Sequence, residues 1–400
     1  MPKLDLNYEE MFREDIEPVE DESDLEELLL EELPDVIVQA TDWTTDTLLG
    51  QIEKGRIQLN PSFQRRDAWT TERKSKFVES LFLGFPIPQL VLAELREQPG
   101  NYIVIDGKQR LLSMIQFAGS EELKEKFGNY KLRGLEILNQ CNGKSLDELV
   151  SDSRSVEVFE NRTIRTIVIR HWKNDSILYH IFLRLSIESV KLSSQELRNA
   201  LHPGPFSEFS DFYSGKSPCL RKILNRDAPD FRMRDAELLL RYYAFRNFIR
   251  EYTGSVKKIL DLTIRELNAL WRTDAHDIQM QAEQFENAVK LAFLVFGPDS
   301  FRKWKKGEFV SRFNHAVYDV ILFHFWKPEI EDKIREKSYE IKEAFIELSE
   351  SDTGFAESLE TTPKSLNATV KRLSSWTSAL NAVLGTDFRE PKLVNNRIRF

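Results

Sequence analysis

The chain has 400 residues, of which 41% are hydrophobic and 30% are charged, so it is long enough for two or three packed domains. No segment approaches the roughly 18 consecutive apolar residues of a membrane helix, and the N-terminus lacks a secretory signal, so we expect a cytoplasmic protein. Two cysteines, Cys141 and Cys219, cannot form a four-cysteine zinc site.

The net charge of −9 is distributed unevenly. Residues 1–35 contain 15 acidic and 2 basic side chains, whereas the remaining 365 residues contain 50 acidic and 54 basic ones. We therefore interpret residues 1–35 as an acidic N-terminal tail. Its role stays open between a solvated leader, a mimic of nucleic-acid charge that covers a basic groove, and a docking segment.

Helix and strand signals alternate over residues 36–172. One helix is predicted to end near Lys54, and a second to begin after Thr70 and end at Gly84. Apolar, β-branched runs predict strands over 56–59, 89–95, 102–105 and 165–169, and the segment 108–118 is predicted to be a helix. These signals predict a compact, mixed α/β domain.

The remainder, residues 173–400, has mostly helical periodicity. Asp175 is predicted to cap a helix that runs through Leu185, and Ser193 with Glu196 forms the capping-box pattern of another. From Asp235 to Leu384 nearly every segment is predicted to be helical. The expected fold class is therefore α+β, with a mixed α/β domain followed by a mostly α-helical region.

The strand–turn–helix unit over residues 102–118 carries the strongest chemical signal. Gly107 at the turn lets the backbone approach a ligand closely, and the free N–H groups of the following helix favour an anion such as phosphate. Lys108 and Arg110 add positive charge, whereas Asp106 suits phosphate only if a metal or an attacking water lies between them. A capped turn with a surface Arg–Asp pair explains the same residues, and spacing alone leaves both interpretations open.

A second polar segment contains Gln64, Arg65 and Trp69. Arginine binds phosphate and tryptophan stacks on bases, so the segment suits a nucleotide or a nucleic acid. In the alternative interpretation, Trp69 covers the core and Arg65 pairs with an acid such as Asp106. Composition does not decide between the two.

Basic side chains also cluster in the body of the chain, where they are candidates for contact with a DNA backbone. The candidates are Arg66, Arg73, Lys74, Arg165 and Lys303. Such clusters can follow a phosphate backbone, but solvated helix faces carry the same charges. DNA binding is therefore a hypothesis at this stage.

The order of these motifs resembles a known family. The resemblance rests on Asn60-Pro61, Gln64-Arg65, Trp69, Leu83 to Pro88, Val104 to Leu111, Gln195 to Ala200 and Arg232 to Leu238. Together they resemble the ParB-like domain of GmrSD-type modification-dependent restriction systems and of SspE-like phage-defence proteins. The similarity covers roughly residues 40–245, and the ordered series is more specific than any single motif.

The resemblance implies a ParB/sulfiredoxin-like fold that binds a nucleoside triphosphate, with Mg²⁺ as the expected ion. In the family, the motif at residues 106–110 is tied to nucleotide hydrolysis. The implied catalytic residues are Asp106, Gln109 and Arg110, with Asp106 also the metal ligand. The implied nucleotide-binding residues are Gln64, Arg65, Trp69, Gly107 and Lys108.

Three departures from the family pattern bear on activity. Lys108 replaces the usual Gln, while Leu183 and Ser186 replace a Glu and an Asn. The chain also lacks a recognisable HNH nuclease, since His315 and His324 do not have the required metal-ligand spacing. Nucleotide binding is therefore better supported than hydrolysis.

We predict a nucleoside-triphosphate-binding and hydrolysing, DNA-directed protein of bacterial restriction or anti-phage defence. One alternative is a non-hydrolysing, nucleotide-dependent switch or adaptor for a separate nuclease or ATPase. The other is a ParB-like nuclease that nicks DNA. The expected partners are a nucleoside triphosphate, DNA and a separate nuclease or ATPase subunit; no membrane is expected, and a homo-oligomer stays open.

Overall fold

The computed structural model describes residues 36–59, 68–149, 153–185, 193–360 and 365–400. These residues form two compact units, of which the first runs to Pro203 and includes Ala228–Arg234, while the second contains Gly204–Asp227 and Asp235–Phe400. A mixed sheet in the first unit and the many helices of the second confirm the predicted α+β class. No helix in the described ranges combines the length and apolar character needed to cross a membrane.

The first unit is a sheet with helices on both faces. Its strands are β1 Ile37–Thr44, β2 Ile57–Gln58, β3 Leu90–Leu95, β4 Gln98–Asp106 and β5 Thr163–Arg170. Its helices are α1 Thr45–Glu53, α2 Thr71–Leu83, α3 Lys108–Ala118, α4 Glu121–Phe127, α5 Leu146–Leu149, α6 Ser153–Glu160, α7 Asp175–Leu185 and α8 Ser194–Leu201.

The five strands form one sheet in the order β1-β5-β3-β4-β2. The central strand β3 is parallel to β5 and antiparallel to β4, while β1 is antiparallel to β5 and β2 is parallel to β4. Strand β1 was not predicted; it lies at the edge of the sheet, and its first four residues, 37–40, are all exposed.

Both faces of the sheet are buried, as the alternation along β3 shows. Leu90 and Leu92 pack into one core with side chains from α1, α2, α3 and α6. Val91 and Ala93 point to the opposite face and pack with side chains from α7 and α8. Because both faces are covered, the first four residues of the strand, Leu90 to Ala93, form an unbroken apolar run.

Most predicted helix ends in this unit are confirmed. Thr70 caps α2 by accepting the Arg73 N–H at 3.3 Å, and Gly84 ends that helix with a φ of 75°. The prediction that Asp175 caps α7 is wrong: the Asn174 Oδ1 accepts the Ile177 N–H at 3.2 Å, and Asp175 is the first helical residue.

The second unit is mainly helical. Its helices are α9 Pro205–Lys216, α10 Pro218–Leu224, α11 Arg234–Asn247, α12 Val256–Phe296, α13 His315–Phe325, α14 Glu331–Glu336, α15 Ser338–Ser351, α16 Thr353–Glu360 and α17 Leu366–Leu384. Helix α12 is kinked at Asp274, where the backbone is non-helical, with a φ of −121°. Two hairpins were not predicted, one of β6 Arg302–Lys305 with β7 Glu308–Phe313, the other of β8 Lys392–Val394 with β9 Arg397–Arg399.

A buried ion pair lies in the core of this helical unit. The Arg241 guanidinium donates to both carboxylate oxygens of Asp319, at 2.5 and 2.6 Å, and neither side chain is more than 1% exposed. Arg372 is also fully buried and donates to the Thr369 hydroxyl and the Ser358 carbonyl. Both arginines therefore act as internal ties between helices.

Candidate functional site

The turn between β4 and α3 admits only glycine. Gly107 has a φ of 103°, and a Cβ built on it would lie 2.2 Å from the Leu90 Cδ2. Both the backbone conformation and the space therefore exclude a side chain. The strand ends at Asp106 and the helix begins at Lys108, as the sequence predicted.

The N-terminal end of α3 presents backbone donors. Its first helical hydrogen bond runs from the Leu111 N–H to the Gly107 carbonyl at 3.0 Å. The N–H groups of residues 108–110 therefore have no partner within the helix, and no side chain caps this end. Together with the helix dipole, these groups favour an anion at the turn.

Arg110 holds Asp106 in place. Its Nη2 donates to the Asp106 Oδ2 at 2.8 Å, and its Nη1 donates to the Pro88 and Gln89 carbonyls. Burial lowers the pKa of the Arg110 guanidinium, while the Asp106 carboxylate opposes that shift. The Arg–Asp pair of the alternative interpretation exists, but Arg110 is only 6% exposed. It connects α3 to the Asp106 carboxylate and to the backbone of Pro88 and Gln89.

Lys108 is paired with an acid on α8. Its Nζ donates to the Glu196 Oε1 at 2.5 Å, and the two side chains are only 7% and 8% exposed. The other carboxylate oxygen of Glu196 accepts the Ser193 N–H at 2.7 Å, and the Ser193 hydroxyl accepts the Glu196 N–H at 3.1 Å. Glu196 therefore closes the predicted capping box and binds Lys108 at the same time.

Gln109 ties the end of the polar segment to α3. Its Oε1 accepts the N–H groups of Ala68 and Trp69, at 3.3 and 3.2 Å. The Trp69 ring packs edge-on against Phe77, and the Arg73 guanidinium lies 4.8 Å from the ring centroid. One face of Trp69 is thus covered by an arginine, which a base stacking on that face would have to displace.

Asp106 is the described residue best suited to hold a metal at the turn. Its carboxylate is about one quarter exposed, and the Oδ1 accepts no hydrogen bond from the described residues. In the described ranges, no three His, Cys, Asp or Glu side chains converge on one point. Mg²⁺ commonly uses only one or two carboxylates and completes its shell with phosphate oxygens and water, so a single aspartate fits such an ion.

Some residues named from the sequence lie outside the part of the chain that the structure describes. Gln64, Arg65 and Arg66 lie outside the described residues, as do Ser186 and the side chain of Leu183. Their assignment to the site stays a prediction.

The remaining DNA-binding candidates differ in exposure. Arg73 is exposed, and Arg165 is about half exposed and paired with Asp42 at 2.9 Å. Lys74 is only 7% exposed, with its Nζ 5.7 Å from the Tyr130 ring centroid, so it is not displayed to a DNA backbone. Lys303 lies on the β6–β7 hairpin of the second unit, where acidic side chains bind neighbouring residues of the hairpin.

His324, one of the two histidines considered for an HNH site, and Asn314, which precedes the other, serve as structural side chains. Asn314 caps α13 by accepting the Val317 N–H at 2.9 Å. The Thr377 hydroxyl donates to the Leu373 carbonyl and lies 2.8 Å from the His324 Nε2, so that nitrogen carries the proton. The Nδ1 then accepts from Lys327 at 3.2 Å. Burial, with Lys327 nearby, holds the pKa of His324 well below its usual value.

Sequence reasoning missed the partner of Lys108. The capping-box pattern identified Glu196 as a helix-capping residue, but an N3 acid does not reveal a contact 88 positions away. The carbonyls of Pro88 and Gln89 were missed for the same reason, since backbone acceptors leave no trace in residue type. The only signal in the sequence that a counter-charge was needed is a lysine at the first position of α3.

Comparison with known proteins identifies one domain. Residues 46–203 match the family described as GmrSD restriction endonuclease, N-terminal domain. Searches among curated proteins and among solved structures returned no match for the chain. The matched segment contains β4, Gly107, α3 and α8, and it therefore includes the turn and the Lys108–Glu196 pair. Over residues 46–203 the chain is similar to this restriction-endonuclease N-terminal domain.

Proposed function

We propose that the N-terminal end of α3 binds the phosphates of a nucleoside triphosphate, in a DNA-directed protein of restriction or anti-phage defence. The observation that carries the proposal is the Gly107 turn, where a φ of 103° and the closeness of Leu90 exclude a side chain beside three helical N–H groups. Strand–helix turns of this kind bind phosphate through backbone donors. The similarity of residues 46–203 to a restriction-endonuclease domain supports the defence role.

The charges at the turn explain why a cation belongs to the proposal. Asp106 pairs with Arg110, and Lys108 pairs with Glu196, so these four side chains carry no net charge. A triphosphate brings several negative charges, and Mg²⁺ would neutralise part of them and polarise the phosphate oxygens. Asp106 is the proposed metal ligand and the group that orients water.

The other residues of the turn have supporting roles in the proposal. Arg110 positions Asp106 through a 2.8 Å ion pair, and Gln109 holds the backbone of residues 68 and 69 beside α3. Gln64 and Arg65 are proposed to complete the nucleotide pocket, with Trp69 at its edge. The ParB/sulfiredoxin-like identity of the fold, and DNA contacts by exposed residues such as Arg73, belong to the same proposal.

The test is a binding panel of ATP, GTP, CTP and UTP, each with Mg²⁺, followed by measurement of phosphate release. Asp106→Asn removes the charge but keeps the shape, and Asp42→Asn is the matched control, because Asp42 also pairs with an arginine in this unit. We expect binding of at least one nucleotide by the wild type and loss of phosphate release only in Asp106→Asn. Failure of folded wild-type protein to bind all four nucleotides would overturn the proposal.

A second candidate is a nucleotide-dependent switch without turnover. It is favoured by the Lys108–Glu196 pair, which connects the phosphate-binding end of α3 directly to the first turn of α8. Binding without phosphate release by the wild type would support this candidate. Nicking of supercoiled plasmid by the wild type, absent in Asp106→Asn, would instead support the nuclease alternative.

A further inference from the structure

We propose that Glu196 competes with bound phosphate for Lys108 and thereby sets the affinity of the site. The inference rests on the proposed function and names a residue that regulates the same site. It makes Glu196 a positioning residue, which acts on the ligand through Lys108. Without phosphate, the carboxylate holds the ammonium group; with phosphate bound, the ammonium group exchanges that partner for a phosphate oxygen.

The geometry makes Lys108 the group over which the two anions compete. Lys108 is the first residue of α3, directly after Gly107, so its own N–H is one of the donors at the proposed phosphate position. Its ammonium group nevertheless binds Glu196 at 2.5 Å, with both side chains almost fully buried. A buried lysine needs an anionic partner, and phosphate can satisfy that need as well as a carboxylate can.

Glu196 has a second contact that separates its two roles. Its Oε2 accepts the Ser193 N–H at 2.7 Å, while the Oε1 binds Lys108. Loss of Lys108 therefore leaves the capping box of α8 intact, and loss of the capping box leaves the ion pair intact. Glutamine also serves at the N3 position of a capping box, so Glu196→Gln removes the competing charge and preserves the cap.

Removal of the charge should strengthen phosphate binding. In Glu196→Gln the ammonium group no longer has to leave the Glu196 carboxylate, and one negative charge near the proposed phosphate position is lost. We expect the affinity for inorganic tripolyphosphate with Mg²⁺ to rise about tenfold, as for one hydrogen bond to a charged group. A purely structural role for Glu196 predicts equal or weaker binding instead.

The experiment measures tripolyphosphate binding to the full chain by titration calorimetry, for the wild type and four variants. The variants are Glu196→Gln, Ser193→Ala, Lys108→Gln and the double variant Lys108→Gln/Glu196→Gln. Ser193→Ala is the matched control, because it weakens the same capping box and leaves the Lys108 pair in place. Far-ultraviolet circular dichroism confirms that each variant is folded.

We expect tighter binding in Glu196→Gln, unchanged binding in Ser193→Ala and weaker binding in Lys108→Gln. In the double variant, the effect of Glu196→Gln should shrink well below tenfold, because the contested lysine is gone. Equal or weaker binding in folded Glu196→Gln would overturn the inference, as would a full tenfold gain without Lys108. If the wild type binds neither tripolyphosphate nor any nucleotide, the proposed function itself fails, which is a different result.

Discussion

The substitution Gly107→Ala tests whether the turn requires glycine. At a φ of 103° an alanine is strained by about 1–2 kcal/mol. Its Cβ would also lie 2.2 Å from the Leu90 Cδ2, and such overpacking of a close-packed core costs about 1–3 kcal/mol. Leu90 is fully buried in the central strand, so it has little room to move. The expected destabilisation of the first unit is therefore about 2–5 kcal/mol.

Gly100→Ala separates the two contributions. Gly100 lies near the start of β4, the strand that ends just before Gly107. It has a φ of 81°, and nothing lies within 4 Å of a Cβ built there. That variant should lose only the strain, about 1–2 kcal/mol. The assay is urea unfolding, monitored by the hydrogen exchange of the backbone amides of residues 98–118. These amides report on the first unit alone. A Gly107→Ala variant no less stable than Gly100→Ala would refute the steric argument.

Three further substitutions test other parts of the account. Asp319→Asn should cost about 3–5 kcal/mol in urea unfolding, because it leaves Arg241 buried without a counter-charge, whereas Asp299→Asn at a surface pair should cost less than about 1 kcal/mol. Equal losses of unfolding free energy in Asp319→Asn and Asp299→Asn would contradict the importance of the buried pair. Glu79→Ala removes the acceptor of three backbone N–H groups at residues 136–138, at 3.4, 2.9 and 2.7 Å, and should cost at least about 2 kcal/mol and speed hydrogen exchange there. Unchanged hydrogen exchange of residues 136–138 in Glu79→Ala would contradict this role of Glu79. His324 has a pKa held well below 6.5, so its neutral form stabilises the fold above pH 6.5 and that stability is lost as the pH falls. In His324→Gln the free energy of unfolding should therefore fall less steeply between pH 6.5 and 5, by up to about 1.4 kcal/mol per pH unit. The same slope in the variant and the wild type would refute the low pKa of His324.

Local signals predicted most of the first unit. The helix α3 was predicted with its observed ends because glycine precedes it and an apolar stripe runs through it. The strands β3 and β4 were evident from apolar runs, since both faces of the sheet are covered. Strand β1 was missed, although Val36 to Val38 form a short apolar run; it is an edge strand whose first four residues are exposed.

The second unit shows where periodicity misleads. Residues 302–313 were assigned to a helical region, but they form the β6–β7 hairpin, whose turn contains Lys306 and Gly307 at φ values of 55° and 85°. Its strands carry Trp304, Phe309 and Phe313, which pack partly against the helical core. Aromatic residues at such spacings fit a helix and a strand equally well, and only tertiary packing decides.

The candidate site divides in the same way. The turn at residues 106–108 followed from sequence, because glycine between a strand and a helix has a direct conformational reason. The partners of its side chains did not follow, since the Lys108–Glu196 contact joins residues far apart in sequence.

The most direct test is a crystal structure of the full chain with Mg²⁺ and a non-hydrolysable analogue of whichever nucleoside triphosphate binds. The account predicts phosphate oxygens within hydrogen-bonding distance of the backbone N–H groups of residues 108–110, with Lys108 turned from Glu196 towards the phosphates. A nucleotide bound elsewhere, with the N-terminal end of α3 unchanged and the Lys108–Glu196 pair intact, would contradict it.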